Sequence, residues 1–312
     1  MTSDLPYETW FWIGFILFIL LLLGLDLGVF HRSAHRIRLK ESLLWTGVWV
    51  GLALLFGGVI WFYGDLEALL QYLSGYLIEE SLSMDNLFVF LVIFSYFGIP
   101  EKHRYSVLFW GIIGALVFRS GFIFAGVALL NRFHWVLYLL GGFLVYTGIQ
   151  MAIHPGEEVE PGKNPVLKFA RRFLPVTDQL HGGKFVVSEN GKWLLTPLFV
   201  VLVVIETTDI VFAVDSIPAV LSVSRDPFIV FSSNVFAILG LRALFFALSG
   251  IMKLFEHLHY GLAIILAFVG VKMLISEWVE IPVWVALLTI LMILLATIGV
   301  SVLNGKVSPP HD

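Results

Sequence analysis

The chain has 312 residues, 59% of them hydrophobic and only 13% charged, with a mean hydropathy of +0.92. That composition lies outside the range of soluble globular domains and makes lipid the main solvent. A net charge of −4 says nothing about partners, and the lack of cysteine excludes disulfides, thiolate metal sites and thiol redox chemistry within the chain itself.

Crossing about 30 Å of hydrocarbon takes about 20 helical residues at ~1.5 Å each. Nine apolar runs of suitable length stand near 10–30, 43–63, 72–97, 105–130, 132–153, 195–221, 228–252, 258–275 and 282–303. Their continuous apolarity, without strict alternation, predicts helices and not a barrel. The expected fold is an all-α integral membrane protein forming one polytopic domain over residues 1–312. Asp4 and Glu8 precede the first run and no basic residue occurs before Arg32, so residues 10–30 read as a retained helix and not a signal peptide.

Lys and Arg cluster in alternate connections: Arg32 to Lys40, Lys102 with Arg104, six between 154 and 193, then Lys253 and Lys306. The opposite connections hold only Arg132 and Arg225, beside Asp65, Glu67, Glu277 and Glu280. The positive-inside rule therefore places the N-terminus outside and the C-terminus inside. The long inner loop, 154–193, is proline-rich and carries the basic stretch Lys168-Phe169-Ala170-Arg171-Arg172, which reads as a solvated linker with affinity for anionic lipid.

Spans three to five (72–153) and six to eight (195–275) resemble each other at an offset of about 122 to 126 residues. Glu80 with Asp85 and Asn86 answers Glu206 with Asp209 and Asp215. Arg119 answers Arg242, and Gly148-Ile149-Gln150-Met151 answers Gly270-Val271-Lys272-Met273. The two blocks start on opposite sides of the membrane, which makes this an inverted repeat, an arrangement that commonly holds a substrate site near mid-depth.

A carboxylate at a helix centre costs roughly 2.5–3.5 kcal/mol or more, so each must face a cavity, a partner or an ion. Span three reads Glu79-Glu80-Ser81-Leu82-Ser83-Met84-Asp85-Asn86. In a regular helix Glu79, Ser83 and Asn86 share a face, while Glu80 and Asp85 lie about 140° apart. Span six carries Glu206 and Asp209 one turn apart, then Asp215 before Pro218, and the proline is expected to kink or unwind the helix around Asp215. The candidate metal ligands are thus Glu80, Asp85, Asn86, Glu206, Asp209 and Asp215, with Asp26, Ser83 and Asn234 in support. Arg119, Arg242 and Lys272 are the basic residues well inside spans and can neutralise three carboxylates. The five acids exceed the three bases, which calls for a cation or protons in the cavity.

Carboxylate, amide and hydroxyl oxygens suit Mg²⁺, Ca²⁺ and Mn²⁺. All nine histidines, among them His31, His35, His103, His134, His154, His257 and His259, fall in connections or near span ends, against a haem or zinc site. Met84 offers a thioether inside the acidic motif but reads as packing. No His-Glu-x-x-His motif or nucleophile elbow is present, and no enzymatic activity is expected.

Glu80-Ser-Leu-Ser-Met-Asp-Asn86, Glu206-Thr-Thr-Asp209, Phe212-Ala-Val-Asp-Ser-Ile-Pro218 and Asn234-Val-Phe-Ala-Ile-Leu-Gly-Leu-Arg242 resemble the motifs of the TerC family of integral membrane proteins, and Leu25-Asp26-Leu27-Gly28-Val29 looks like its opening motif. The pattern is closest to the family's Alx-type branch, associated with Mn²⁺ export. The resemblance implies a bacterial inner-membrane cation exporter of the LysE superfamily that removes excess cytoplasmic Mn²⁺ or supplies metal to exported enzymes. With the inverted repeat, the leading expectation is export by alternating access, with protons as the candidate exchange ion. No prosthetic cofactor and no nucleic-acid partner is expected. Two alternatives stay open: a membrane scaffold or stress-response component of the tellurite-resistance type with a structural acidic network, and a Ca²⁺/H⁺ exchanger.

Overall fold

A computed structural model describes residues 9–25, 39–133, 135–153, 175–177, 179–189, 192–251, 258–279 and 281–305. Among them are nine α-helices: α1 (Thr9–Leu25), α2 (Leu39–Tyr63), α3 (Leu66–Tyr96), α4 (Glu101–Arg132), α5 (Val136–Ile153), α6 (Pro197–Leu221), α7 (Pro227–Ile251), α8 (Leu258–Leu274) and α9 (Val283–Gly305). Six are long and apolar enough to cross a membrane, and α1 and α8 are shorter apolar helices. The 31 residues of α3 have the length, but their carboxylates keep this helix out of that set. The all-α integral membrane fold expected from the apolar runs is the one observed. Asp26, His134 and the basic stretch 168–172 fall outside the described residues.

Caps and prolines set the helix boundaries. The Asp65 side chain accepts from the Ala68 amide at 2.7 Å to start α3. Gly98, at φ +60°, ends it while the Ile99 amide returns to the Phe94 carbonyl at 2.9 Å. Pro197 and Pro227 open α6 and α7, where a missing N–H costs nothing. Asp226 accepts from Phe228 and Ile229 at 2.8 and 3.1 Å to cap α7. Pro218 does not unwind α6 at Asp215 as its position suggested. The helix runs unbroken to Leu221, because the proline sits in the last turn and displaces a single bond, and the Ser222 amide closes back on the Pro218 carbonyl at 3.1 Å.

The loop 154–193 is not all linker among its described residues. Val186–Glu189 and Lys192–Leu195 form an antiparallel hairpin, β1 and β2, that leads into α6. Gly183, at φ +89°, lies against the His103 ring, where a Cβ would stand 2.8 Å from Nδ1. This contact joins the loop to the start of α4.

Apolar side chains on the bundle's outside, such as Phe62, Leu55, Leu44 and Val117, are 66–82% exposed and suit lipid. Almost all of α7 is buried, which makes it the bundle's central helix. The interior divides into two apolar clusters. One spans α1, α2, the ends of α3, the first half of α4 and α6, and α7; the other gathers α5, α8, α9, the middle of α3 and the second halves of α4 and α6. Between them the helices carry polar residues.

The helix contacts are reciprocal. α3 packs on α7 as α4 packs on α6, while α5 and α8 make the most extensive contact of the bundle. A Cβ at Gly148 would lie 2.7 Å from the Ala263 carbonyl oxygen and 2.9 Å from the Ala267 amide. One at Gly270 would lie 2.7 Å from the Gly141 carbonyl oxygen and 2.8 Å from the Val145 amide. Each of these neighbours is backbone, which cannot step aside. Gly148→Ala and Gly270→Ala are each expected to cost about 1–3 kcal/mol, lowering the midpoint of thermal unfolding in lipid nanodiscs. Gly14→Ala, with nothing within 4 Å, is expected to leave it unchanged.

Candidate functional site

The polar residues between the two apolar clusters centre on Arg119. Its α4 position is 1% exposed. It donates from Nε and Nη2 to the two carboxylate oxygens of Asp209 on α6, at 3.0 and 2.7 Å, and from Nη1 to Glu79 on α3. Ser216 Oγ stands 3.5 Å from the same Nη1, and Ser83 donates to Glu79 Oε1 at 3.3 Å. The bidentate fork is the strong form of such a pair. Three helices are thereby tied by one guanidinium, and the face that Glu79 shares with Ser83 and Asn86 is the one α3 turns toward α4 and α6.

Asp209 is therefore held as an ion-pair partner. The other expected ligands are distributed. Asp215 and Asn86 line a cavity of about 480 Å³ between α3, α5, α6 and α8, together with Ser216, Tyr146, Thr147 and Gln150. Thr147 Oγ1 stands 3.3 Å from Asp215 Oδ1, and Gln150 donates to the Tyr146 hydroxyl at 2.9 Å. Asn86 is 4% exposed and reaches this cavity from the Glu79 face of α3. Glu206 on α6 turns to α4, its carboxylate filling the space beside Gly114, while Glu80 on α3 turns to Gly240 of α7. Among the described residues no three His, Asp or Glu side chains gather as a metal cluster; the Asp85 side chain and Asp26 are outside that description.

The remaining predicted supports have separate places. Arg242 lies over the Tyr105 ring at 4.5 Å and near Phe109 at 5.8 Å, a cation–π arrangement. Lys272 donates to the Ser222 carbonyl at 3.3 Å, beside Arg225 in a cavity of about 270 Å³ at the end of the bundle where α3 and α5 begin. Asn234, 1% exposed, is buried in α7. Sequence reasoning missed the α5 contribution of Tyr146 and Thr147. The signal nearest to it was the recurring Gly148-Ile149-Gln150-Met151, which contains the cavity residue Gln150.

Residues 64–308 match the Integral membrane protein TerC family. The chain belongs to the TerC family. An uncharacterized membrane protein of Myxococcus xanthus is 48% identical to this chain over 301 residues, covering 96% of the chain and 94% of that protein. The "Putative membrane-bound redox modulator Alx" of Escherichia coli is 43% identical over 311 residues, covering 96% of each. An uncharacterized membrane protein of Rickettsia bellii is 40% identical over 296 residues, covering 95% of the chain and 98% of that protein. No solved structure matches this TerC chain.

Removing one partner of a buried ionic set leaves uncompensated charge, at a cost of about 3–5 kcal/mol. Arg119→Met is expected to destabilise the protein on that scale in equilibrium unfolding. Adding Glu79→Gln and Asp209→Asn to the same chain is expected to recover most of the loss, since no orphan carboxylate then remains.

Proposed function

We propose that this TerC protein exports a divalent cation, with Mn²⁺ as the first candidate, from the cytoplasm across a bacterial inner membrane. The observation that carries the reading is the oxygen-lined cavity holding Asp215 and Asn86 beside the buried Arg119 network. A carboxylate, two amides and several hydroxyls offer hard oxygen donors, which suit Mn²⁺, Ca²⁺ or Mg²⁺ and leave room for bound water. In this reading Asp215 and Asn86 receive the ion. Asp209 and Glu79 stay with Arg119 while the cavity is metal-free, and Asp85 adds a carboxylate on the same helix as Asn86.

The reciprocal contacts support alternating access. Under the expected inverted repeat, α3, α4 and α5 exchange with α6, α7 and α8, and the α3–α7 and α4–α6 packings exchange with each other. The backbone contacts of Gly148 and Gly270 exchange in the same way at an offset of 122 residues. Two halves so related can rock about a central site that opens to one side at a time.

One observation favours a second reading, a membrane scaffold or stress-response component: Arg119, Asp209 and Glu79 already form a satisfied ionic set of the kind that holds helices together. Redox modulation, the role in the name of the Escherichia coli relative, would need a redox group other than a thiol, because the chain has no cysteine.

The test is Mn²⁺ flux in proteoliposomes containing a metal-sensitive dye, with Ca²⁺ and Mg²⁺ run alongside under an imposed pH gradient. Asp215→Asn is expected to lower Mn²⁺ flux by at least about tenfold, the equivalent of ~1.4 kcal/mol, and Thr147→Val by less. Absence of flux from wild-type protein that is folded in the vesicles would replace the transport reading with the scaffold.

A further inference from the structure

The cavity of about 270 Å³ where α3 and α5 begin is separate from the Asp215 cavity and is lined by two cations, Arg225 and Lys272. In the repeat expected from the sequence Gln150-Met151 answers Lys272-Met273, and each pair lines a cavity. The two cavities differ in sign. One holds the Asp215 carboxylate, while the lining of the other includes no acidic side chain among the described residues.

Acidic residues stand at this end of the bundle but are engaged elsewhere. Asp65 caps α3 and Asp226 caps α7. Glu67 accepts from Gln71 Nε2 at 3.3 Å, and Glu277 acts on Tyr138. Glu280 lies outside the described residues. Among the described residues neither Arg225 nor Lys272 has a carboxylate partner. Lys272 Nζ donates to the Ser222 carbonyl at 3.3 Å and keeps further ammonium hydrogens to give. Two like charges that converge on a partly enclosed space repel each other, and an anion between them turns that repulsion into attraction. The depth narrows the choice of anion. Trp135, Trp278 and Trp284, at the adjoining ends of α5, α8 and α9, are 54–76% exposed, an aromatic belt of the kind that marks the lipid headgroup level.

We propose that this cavity binds a phosphate group, presented by an anionic phospholipid, between Arg225 and Lys272. Arg225, exposed at the rim, offers its planar fork to the phosphate oxygens, and the half-buried Lys272 adds a point charge from within. Ser224 Oγ, which donates to Gln71 Oε1 at 2.7 Å, and Ser276 Oγ, which donates to the Met273 carbonyl at 2.8 Å, can turn to the remaining oxygens. The volume takes such a group together with water. A headgroup held there bridges the connection between α6 and α7 to the end of α8. The assignment stands whether or not the protein moves a metal.

The test titrates phosphatidylglycerol, phosphatidylcholine and inorganic phosphate separately into the purified full chain in detergent. Bound lipid is counted by native mass spectrometry, and the midpoint of thermal unfolding is followed in parallel. Wild type is expected to hold one phosphatidylglycerol at least about tenfold more tightly than phosphatidylcholine, and Arg225→Gln and Lys272→Gln are each expected to lose that factor, which is the scale of one charge-assisted hydrogen bond. Lys272→Arg keeps the charge and is expected to keep the preference. Arg132→Gln, at the same end but outside the cavity, is expected to change affinity by less than about twofold. Midpoints without lipid report the fold of each variant, and the exposed Arg225 gives a reading even if Lys272→Gln is unstable. Inorganic phosphate that raises the midpoint of wild type but not of the Gln variants, with no lipid preference, would place free phosphate on the same residues. Phosphatidylglycerol binding unchanged in folded Gln variants, or lowered as much by Arg132→Gln, would overturn the site, as would binding of neither ligand.

Discussion

A guanidinium with almost no solvent exposure has to find its counter-charges inside the protein, and that requirement organises the middle of this bundle. Arg119 finds them on two other helices, Asp209 through a bidentate fork and Glu79 through its remaining nitrogen. The apolar interior is split in two at this level because α3, α4 and α6 all give up apolar packing there. The polar residues around the split, Ser83, Asn86 and Ser216, follow from the same helix faces. The oxygen-lined cavity opens beside this layer and shares Asn86 and Ser216 with it. A buried set of this kind is weak evidence for stability, since desolvation offsets much of its attraction. It is better evidence that these helices are held in one relative register.

The membrane fold was legible because lipid imposes one requirement along each span, and apolarity over about 20 residues announces it without reference to any neighbour. Eight of the nine expected spans end within a few residues of the observed helices, and the first continues past Leu25 into residues outside the description. The hairpin of Val186–Glu189 with Lys192–Leu195 was not legible: its strands are four residues each and sit in a loop whose prolines and charges dominate the local pattern.

The candidate site was legible in composition and less so in geometry. The acidic motifs marked the right helices, and the helix period placed Glu79, Ser83 and Asn86 on one face. Which face turns to Arg119 depends on packing between helices, and no spacing within α3 reports that. Glu80 was accordingly counted among the ligands and Glu79 was not, although Glu79 is the one that turns to α4 and α6 while Glu80 turns to α7. Pro218 was misread for a local reason, since its effect depends on its distance from the helix end. The α5 side chains were missed because Tyr146 and Thr147 carry no charge and stand in an ordinary apolar run.

The glycines between α5 and α8 have a consequence for how this chain can diverge. Gly148 presses on the backbone at Ala263 and Ala267, and Gly270 presses on the backbone at Gly141 and Val145. A side chain gained at either glycine pushes on main chain, so no substitution in the opposing residue can make room for it. Relief requires the whole partner helix to shift, and that shift alters the spacing at the other glycine. Charge can therefore vary beside this seam, at positions such as Gln150 and Lys272, while the mutual spacing of α5 and α8 is set as a unit.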